Sequence, residues 1–542
     1  MNGRPGQNWE IFLFNTATQE YTNLTQNSYD ERDPAWSPDG RKIAYSARSG
    51  KGWDLYFYDL ETGQHTQITD DLAYDGAPAW SPDGTQILFE STRNGNLDIF
   101  LFDFIHQTIT EQTSSSYADI EPLWHPDGTS FLFTSWRNGE RQLFQQEING
   151  VDVRSISEPG EEPCQVSFLY NSASIIYRSD SLKEQKIIIR NLEQPNLTIL
   201  PNPYSQNWPF LVKRNQNDQL VTLRTVSGIT GIYPTGWQLS LTSIDIDTHY
   251  KESLLKLSGE WSQPSCRSTL PTQGLSWEPV ARLNTQTYIA HLDIDQSHYL
   301  RHLVNIDARQ PVLSSSVVPS FERLRQHIML ESGYDFLGTM NDVWRGLDHP
   351  DKVLISWHRA GRAFDTRDWF ATDRQRLFIA REWLDGQIYF RLYILAQNQD
   401  GTKGRPLKES LWFTEGRLVN AELREHGGRF QVPSNGYFVD ITELASREGW
   451  TRIPALTPPY GNWKHRYIDM EFWHYEKRSS LTWYAAMKQV YQAEELNRRY
   501  NPQLLLSRGY TWAQLVTAGI VDPEKEASCR YTRRSYDAGC AW

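Results

Sequence analysis

The sequence predicts a multidomain chain: an N-terminal all-β propeller of about six blades, then a C-terminal α+β domain. Three observations lead there. The length of 542 residues exceeds what one hydrophobic core organises. The aromatic load of 21 Trp, 27 Tyr and 22 Phe suits many short strands packed face on face better than a helical bundle. A self-similarity with a period of 44 residues fills the first part and stops where helical spacing begins.

Composition narrows the function classes before any motif is read. A net charge of -12 and the lack of clustered Lys and Arg argue against nucleic acid, because phosphate binding requires a basic surface that displaces counterions. No stretch approaches the ~20 apolar residues that span a bilayer, and the opening MNGRPGQNWEIF lacks the apolar core of a signal peptide. A soluble chain is expected, either cytoplasmic or with an export segment missing, since the pattern starts abruptly inside a strand. Four cysteines are too few for a disulfide scaffold, and none forms a CxxC pair. Cys164 and Cys266 read as isolated buried thiols. Cys529 and Cys540 flank a short polar tail and are placed to close a loop if the protein is secreted.

The repeat accounts for the propeller element by element. The segments DPAWSPDG, APAWSPDG and EPLWHPDG set Trp36, Trp80 and Trp124 at a spacing of 44, and the next step lands on Phe168. The same period relates Ile43-Ala44-Tyr45, Ile87-Leu88-Phe89, Phe131-Leu132-Phe133 and Ile175-Ile176-Tyr177, and the strand starts Ile11, Leu55, Ile99, Leu143 and Ile187. Each unit reads as strand, Pro-Asp-Gly turn, strand, loop, strand, and a Thr-rich strand ending near Thr25, Thr69 or Thr113. Proline presets one backbone dihedral, and Asp-Gly tolerates the positive one of a tight hairpin. Alternation in DLYFYDL and DIFLFDF gives each strand a buried and a wetter face. The turn aspartates read as turn residues rather than calcium ligands, because no DxDxDG loop accompanies them.

These units resemble the TolB-type propeller repeat, which has the same W-S-P-D-G turn, apolar strand and D-I/L-Y/F strand. The likeness covers residues 1 to about 195 and then decays. VTLRTV, WQLSLTSID and TYIAHLDID still alternate like strands, which puts the end of a sixth blade near residue 318. The first blade lacks its upstream strands, so closure calls for strands from the far end of the ring or for residues upstream of this sequence. Such a ring is expected to be a rigid docking surface for a protein, peptide or glycan, with a mere spacer as the plainer reading.

After VVPSFERLRQHIML helical spacing appears, which sets the expected division at 1–318 and 319–542. Ser320 is a fair N-cap there, with Leu324, Ile328 and Leu330 as an apolar side. Residues 356–365 read S-W-H-R-A-G-R-A-F-D, and residues 471–474 read E-F-W-H. A catalytic zinc takes three ligands from His and carboxylate and keeps one position open for water. His358 and Asp365 are close in sequence yet separated by Gly361, which lets the chain fold back so that both face one ion. His474 supplies a third ligand from a distant segment, and Glu471 stands three residues ahead of it, placed to take a proton from water. His327, His349, His426 and His465 lack ligand spacing and read as ordinary residues, while Trp357, Phe364 and Trp473 read as core.

The two stretches resemble the zinc D,D-carboxypeptidases and D,D-dipeptidases of the VanY and VanX type, whose pattern is S-x-H-x-x-G-x-A-x-D and then E-x-W-H. The resemblance implies Zn2+ held by His358, Asp365 and His474, catalysis by Glu471, and a D-amino-acid-containing peptide of bacterial peptidoglycan as substrate. An extracellular or periplasmic location follows from that substrate. It also implies an upstream arginine facing the oxyanion. Arg345, in V-W-R-G, is the candidate and Arg362 the substitute, although Arg345 lies closer to the first ligand than the family places it.

Between the motifs, YFVDITELASREGWTRIP reads as a strand and a helix with Asp440 as N-cap, Glu443 completing a capping box and Gly449 as stop. The interval from 365 to 471 is longer than the family's. The excess reads as the hairpin RLFIAREWLDGQIYFRLYILA, with Asp385-Gly386 at its tip, an insertion able to reshape the substrate groove. Ser479 to Tyr500 has helix spacing through Leu481, Tyr484, Met487, Val490 and Tyr491. The expected function is zinc-dependent peptide hydrolysis with the propeller as docking platform. The rival is a non-catalytic, envelope-protein-binding protein of TolB type with an idle metal site.

Overall fold

A computed structural model of the chain describes residues 2–4, 8–15, 18, 20–49, 52–169, 173–182, 185–194, 197–201, 207–214, 217–230, 233–245, 251–258, 260–262, 298–350, 353–367, 376–384, 387–415, 420–458 and 460–521. Among them, six four-stranded antiparallel sheets follow one another through the N-terminal region. Five are sequential, beginning at Glu31, Asp75, Asp119, Pro163 and Asn207. The sixth is drawn from both ends: Glu260–Ser262 pairs with Asn2–Arg4, which pairs with Glu10–Asn15, and Glu20–Asn23 completes the sheet. The closing strand thus lies at 260–262 rather than near residue 318. TYIAHLDID, expected to help complete the ring, lies outside the described residues, as do Cys266, Cys529 and Cys540.

The period of 44 is built from three local devices. Asp33, Ala77, Glu121 and Gln165 adopt positive φ of 54, 48, 54 and 58° where the first strand of each blade slips register against the second, a bulge repeated blade by blade. The hydroxyls of Thr25, Thr69, Thr113 and Ser157 accept the backbone N–H of Ile11, Leu55, Ile99 and Leu143 at 2.9 to 3.0 Å. Trp80 and Trp124 donate Nε1–H to the carbonyls of Ala35 and Ala79 in the preceding blade, at 3.2 and 3.0 Å. Trp80 and Trp124 therefore each latch their blade to the one before it. Asp39 and Asp83 accept hydrogen bonds inside their own turns, from Ser37 and Arg41 and from Ser81 and Thr85.

In the second region the helix Val318–Ser332 buries Phe321, Leu324 and Ile328, and Leu303, Leu313 and Val317 join the same core. Leu330 is exposed instead, because the stripe set by Phe321, Leu324 and Ile328 turns away from it. The helix starts ahead of Ser320, with Pro319 in its first turn, so the Ser320 hydroxyl returns to the Val317 carbonyl at 2.8 Å rather than capping. The hairpin Leu377–Leu384 and Gln387–Leu395 forms the centre of a six-stranded sheet, flanked by Tyr437–Asp440 and Leu411–Phe413. Its tip, 385–386, lies outside the described residues.

Asp440 caps the helix Ile441–Arg447 by accepting the Glu443 N–H at 2.8 Å. Glu443 does not complete a capping box with its side chain. Its carboxylate is drawn to Trp9, Arg32, Arg405 and Arg447. The single helix expected over Ser479–Tyr500 is two, Trp483–Lys488 and Ala493–Arg499. The break between them lets Gln489 accept from Arg362 at 2.9 Å and Tyr491 donate to the Arg359 carbonyl at 3.0 Å. Among the described residues, no helix is long and apolar enough to cross a membrane.

The two regions meet through buried polar contacts reaching several blades. Lys408 pairs with Glu90 at 2.6 Å, and Ser410 links Trp136 to Glu162 at 3.0 and 2.8 Å. Arg447 bridges Asp30 at 2.8 Å, and Tyr437 and Thr92 share a hydrogen bond of 2.7 Å. From the hairpin, Arg381 donates to the carbonyls of Ser181 and Leu182 at 3.0 and 3.2 Å. The hairpin thus reaches the propeller.

Candidate metal centre

The centre forms where a turn and a strand pair meet. Gly361 closes the turn after His358: its N–H bonds to the His358 carbonyl at 3.1 Å and its own carbonyl accepts Ser314 N–H at 2.8 Å. Its φ is +63°, and a Cβ there would lie 2.8 Å from the Ser314 nitrogen, so only glycine fits. The chain then enters the strand Ala363–Asp365, which runs antiparallel to His474–Glu476. That register sets Asp365 directly opposite His474 and so puts both side chains on one face.

The donor atoms converge. His474 Nδ1 is 2.8 Å from Asp365 Oδ1, and His358 Nε2 is 3.2 Å from the same oxygen and 3.3 Å from His474 Nδ1. Metal–ligand bonds of 2.0–2.1 Å in a tetrahedron place ligand atoms about 3.3 Å apart, so the triangle fits a single ion with little adjustment. All three residues are buried, at 1, 7 and 8% exposure for His358, Asp365 and His474. His358 Nδ1 faces the Val343 carbonyl at 2.7 Å. A carbonyl only accepts, so Nδ1 carries the hydrogen and Nε2 presents its lone pair.

Electrostatics follow from that packing. Burial works to raise the Asp365 carboxyl, yet His358 and His474 hold it well below its ordinary range. Burial works to lower His474, yet Asp365 and Glu476 push it up to about 10, as expected of an imidazole between two carboxylates. Burial raises Glu471 to about 7, with His474 opposing and Asp365 adding. Glu471 also holds a left-handed backbone, φ 56°, where the chain bends toward the strand His474–Glu476.

Arg345 lies beside this cluster, donating Nε–H to Asp342 at 2.6 Å with Nη2 3.5 Å from Asp365 Oδ2. Arg362 faces the other way. Its guanidinium is engaged by Ser316, Gln489, Ser479 and the Lys477 carbonyl, and burial lowers it to about 10. Trp357, Phe364 and Trp473 are buried, Phe364 stacking on Tyr475. Sequence reasoning missed Asp342, whose backbone pairs with Asp365, the Val343 carbonyl, and Glu476. Only Glu476 left a trace, two residues past His474 and so on the same strand face.

Residues 3–270 match the TolB beta propeller domain family, so the N-terminal region carries a TolB-type propeller. Comparison with curated proteins gives no match. Among solved structures, TolB from Acinetobacter baumannii is 23% identical with a TM-score of 0.42, the alignment covering 48% of this chain and 63% of that one. An oligogalacturonate lyase from Vibrio parahaemolyticus is 16% identical (TM-score 0.36; 48% of this chain, 75% of that one). A puromycin-hydrolyzing peptidase from Mycobacterium tuberculosis is 14% identical (TM-score 0.34; 47 and 43%). The chain therefore spans less than two thirds of the TolB structure.

Proposed function

We propose that this protein is a zinc-dependent peptidase of the D,D-carboxypeptidase kind, acting on D-amino-acid-containing peptides of bacterial peptidoglycan. The observation that carries the reading is the convergence of His358, Asp365 and His474, from two distant motifs, to donor separations of 2.8 to 3.3 Å. The units are 1–318 and 319–542, the first a docking platform for an envelope protein and the second the hydrolase. The substrate implies an extracellular or periplasmic setting.

His358, Asp365 and His474 would hold the zinc, which when bound would supply Lewis acidity, bringing the pKa of water to about 7 and polarising a carbonyl. Glu471, raised to about 7 by burial, is matched to accept the proton as the water oxygen bonds to the carbonyl carbon. The same carboxyl then returns that proton to the leaving nitrogen as the C–N bond breaks. Arg345 supplies positive charge on the side of Asp365, where the negative charge developing on the carbonyl oxygen is balanced. His358 keeps its lone pair forward through Val343.

The TolB-type match favours a second reading, in which the propeller binds an envelope protein and the metal site is idle. Elemental analysis and muropeptide cleavage by wild type and Glu471→Ala separate the two. The peptidase reading expects about one zinc per chain in both proteins, with cleavage slowed about 10²- to 10⁴-fold in the variant. Equal product release by both would sink it.

A further inference from the structure

We infer that Glu476 is a positioning residue for this centre: anchored by Arg478, its carboxylate holds the His474 ring so that Nδ1 faces the metal. The inference rests on the metal reading above and names a residue that neither motif contains.

Strand geometry places the group. His474 and Glu476 are two residues apart on one strand, so they share a face, and across the pairing register that face meets Asp365 and Ala363. The two nitrogens of His474 are thereby divided, Nδ1 at 2.8 Å from Asp365 Oδ1 and Nε2 at 3.5 Å from Glu476 Oε2. A carboxylate can only accept, so each His474 nitrogen points a hydrogen at its own carboxylate; where zinc would take the place of the Nδ1 hydrogen, Glu476 would keep the other hydrogen on Nε2. His358 obtains the same result from the neutral Val343 carbonyl.

The carboxylate is itself held. Glu476 is buried, and its Oε1 accepts from Arg478 Nε at 2.5 Å. The Arg478 guanidinium lies 5.5 Å from the Trp357 ring centroid, over the residue that precedes His358. Turning Glu476 away therefore breaks a charged bond inside the fold. Ala363, fully buried, pairs directly opposite Glu476.

The test uses the full chain and reads metal affinity without activity. Zinc dissociation constants are measured by competition with a chromogenic chelator for wild type, Glu476→Leu and the near-isosteric Glu476→Gln, with melting of the metal-stripped proteins alongside. Glu476→Leu is expected to weaken zinc binding about 10- to 100-fold, with Glu476→Gln between it and wild type. A purely structural role would lower the melting temperature of the stripped protein and leave the affinity of the folded fraction unchanged. Unchanged affinity in Glu476→Leu overturns the inference and leaves the metal reading intact. Should that variant fail to fold, unchanged affinity in Glu476→Gln overturns it equally. A wild type that binds no zinc overturns the metal reading, and this inference with it.

Discussion

Gly361 constrains the candidate metal centre, combining a positive φ with a Ser314 nitrogen 2.8 Å from where a Cβ would stand. Gly361→Ala is expected to cost more than about 1 kcal/mol in urea denaturation and to weaken zinc binding by displacing His358. Glu471 shows the opposite balance, since a glutamate at φ 56° stores roughly 1–2 kcal/mol of backbone strain. Glu471→Gly should therefore leave stability unchanged or raise it by about 1 kcal/mol while abolishing cleavage, a pairing that ordinary destabilisation does not produce.

Glu31 sets a pH dependence far from the site. Burial, with Glu10 adding to it, lifts its carboxyl from 4.5 to about 8. The folded chain then holds this proton more tightly than the unfolded one. Its contribution to stability is full below about pH 4.5 and is lost as pH rises through about 8. Melting temperatures from pH 5 to 8 should fall less steeply in Glu31→Gln than in wild type. Parallel slopes would rule out this assignment.

At the scale of elements, four blades share the same hydroxyl-to-backbone bond, from Thr25, Thr69, Thr113 and Ser157. Ser157→Ala removes the only side-chain acceptor described for the Leu143 N–H, at a buried position. The expected loss is about 1–3 kcal/mol by denaturant titration, the cost of stranding a buried donor. The helices show where local pattern yields to packing. Ser479–Tyr500 has one continuous helical spacing, but Gln489 and Tyr491 are needed by Arg362 and Arg359, and the helix breaks between Lys488 and Ala493 to deliver them.

At the scale of the whole molecule, the propeller is already engaged by its own chain. Lys408 neutralises Glu90, a carboxylate with no solvent exposure, while Glu443 and Arg447 tie Arg32 and Asp30 to the second region. An outside partner would therefore dock on propeller surfaces other than these. Lys408→Met leaves Glu90 buried without its counter-charge and should cost about 3–5 kcal/mol. Adding Glu90→Gln to that background should restore part of the loss, which a double-mutant cycle in urea measures directly. Strict additivity of the two changes would show the pair to be unimportant.

The blade period and the turns were legible in the sequence because they depend on short-range rules, alternation and turn chemistry. His358 and Asp365 could be read together within one motif, whereas His474 lies 109 residues beyond Asp365 and was joined to them only through a second motif. The capping role of Asp440 was legible through short-range rules too, whereas the fate of the Glu443 side chain was not, because Trp9 and Arg32 lie more than four hundred residues away. Tertiary structure alone decided that Glu260–Ser262 closes the ring, that Arg345 rather than Arg362 faces Asp365, and that Lys408 meets Glu90. Pairings of this kind leave no period in a sequence, since burial and charge select them only after the strands and helices have packed.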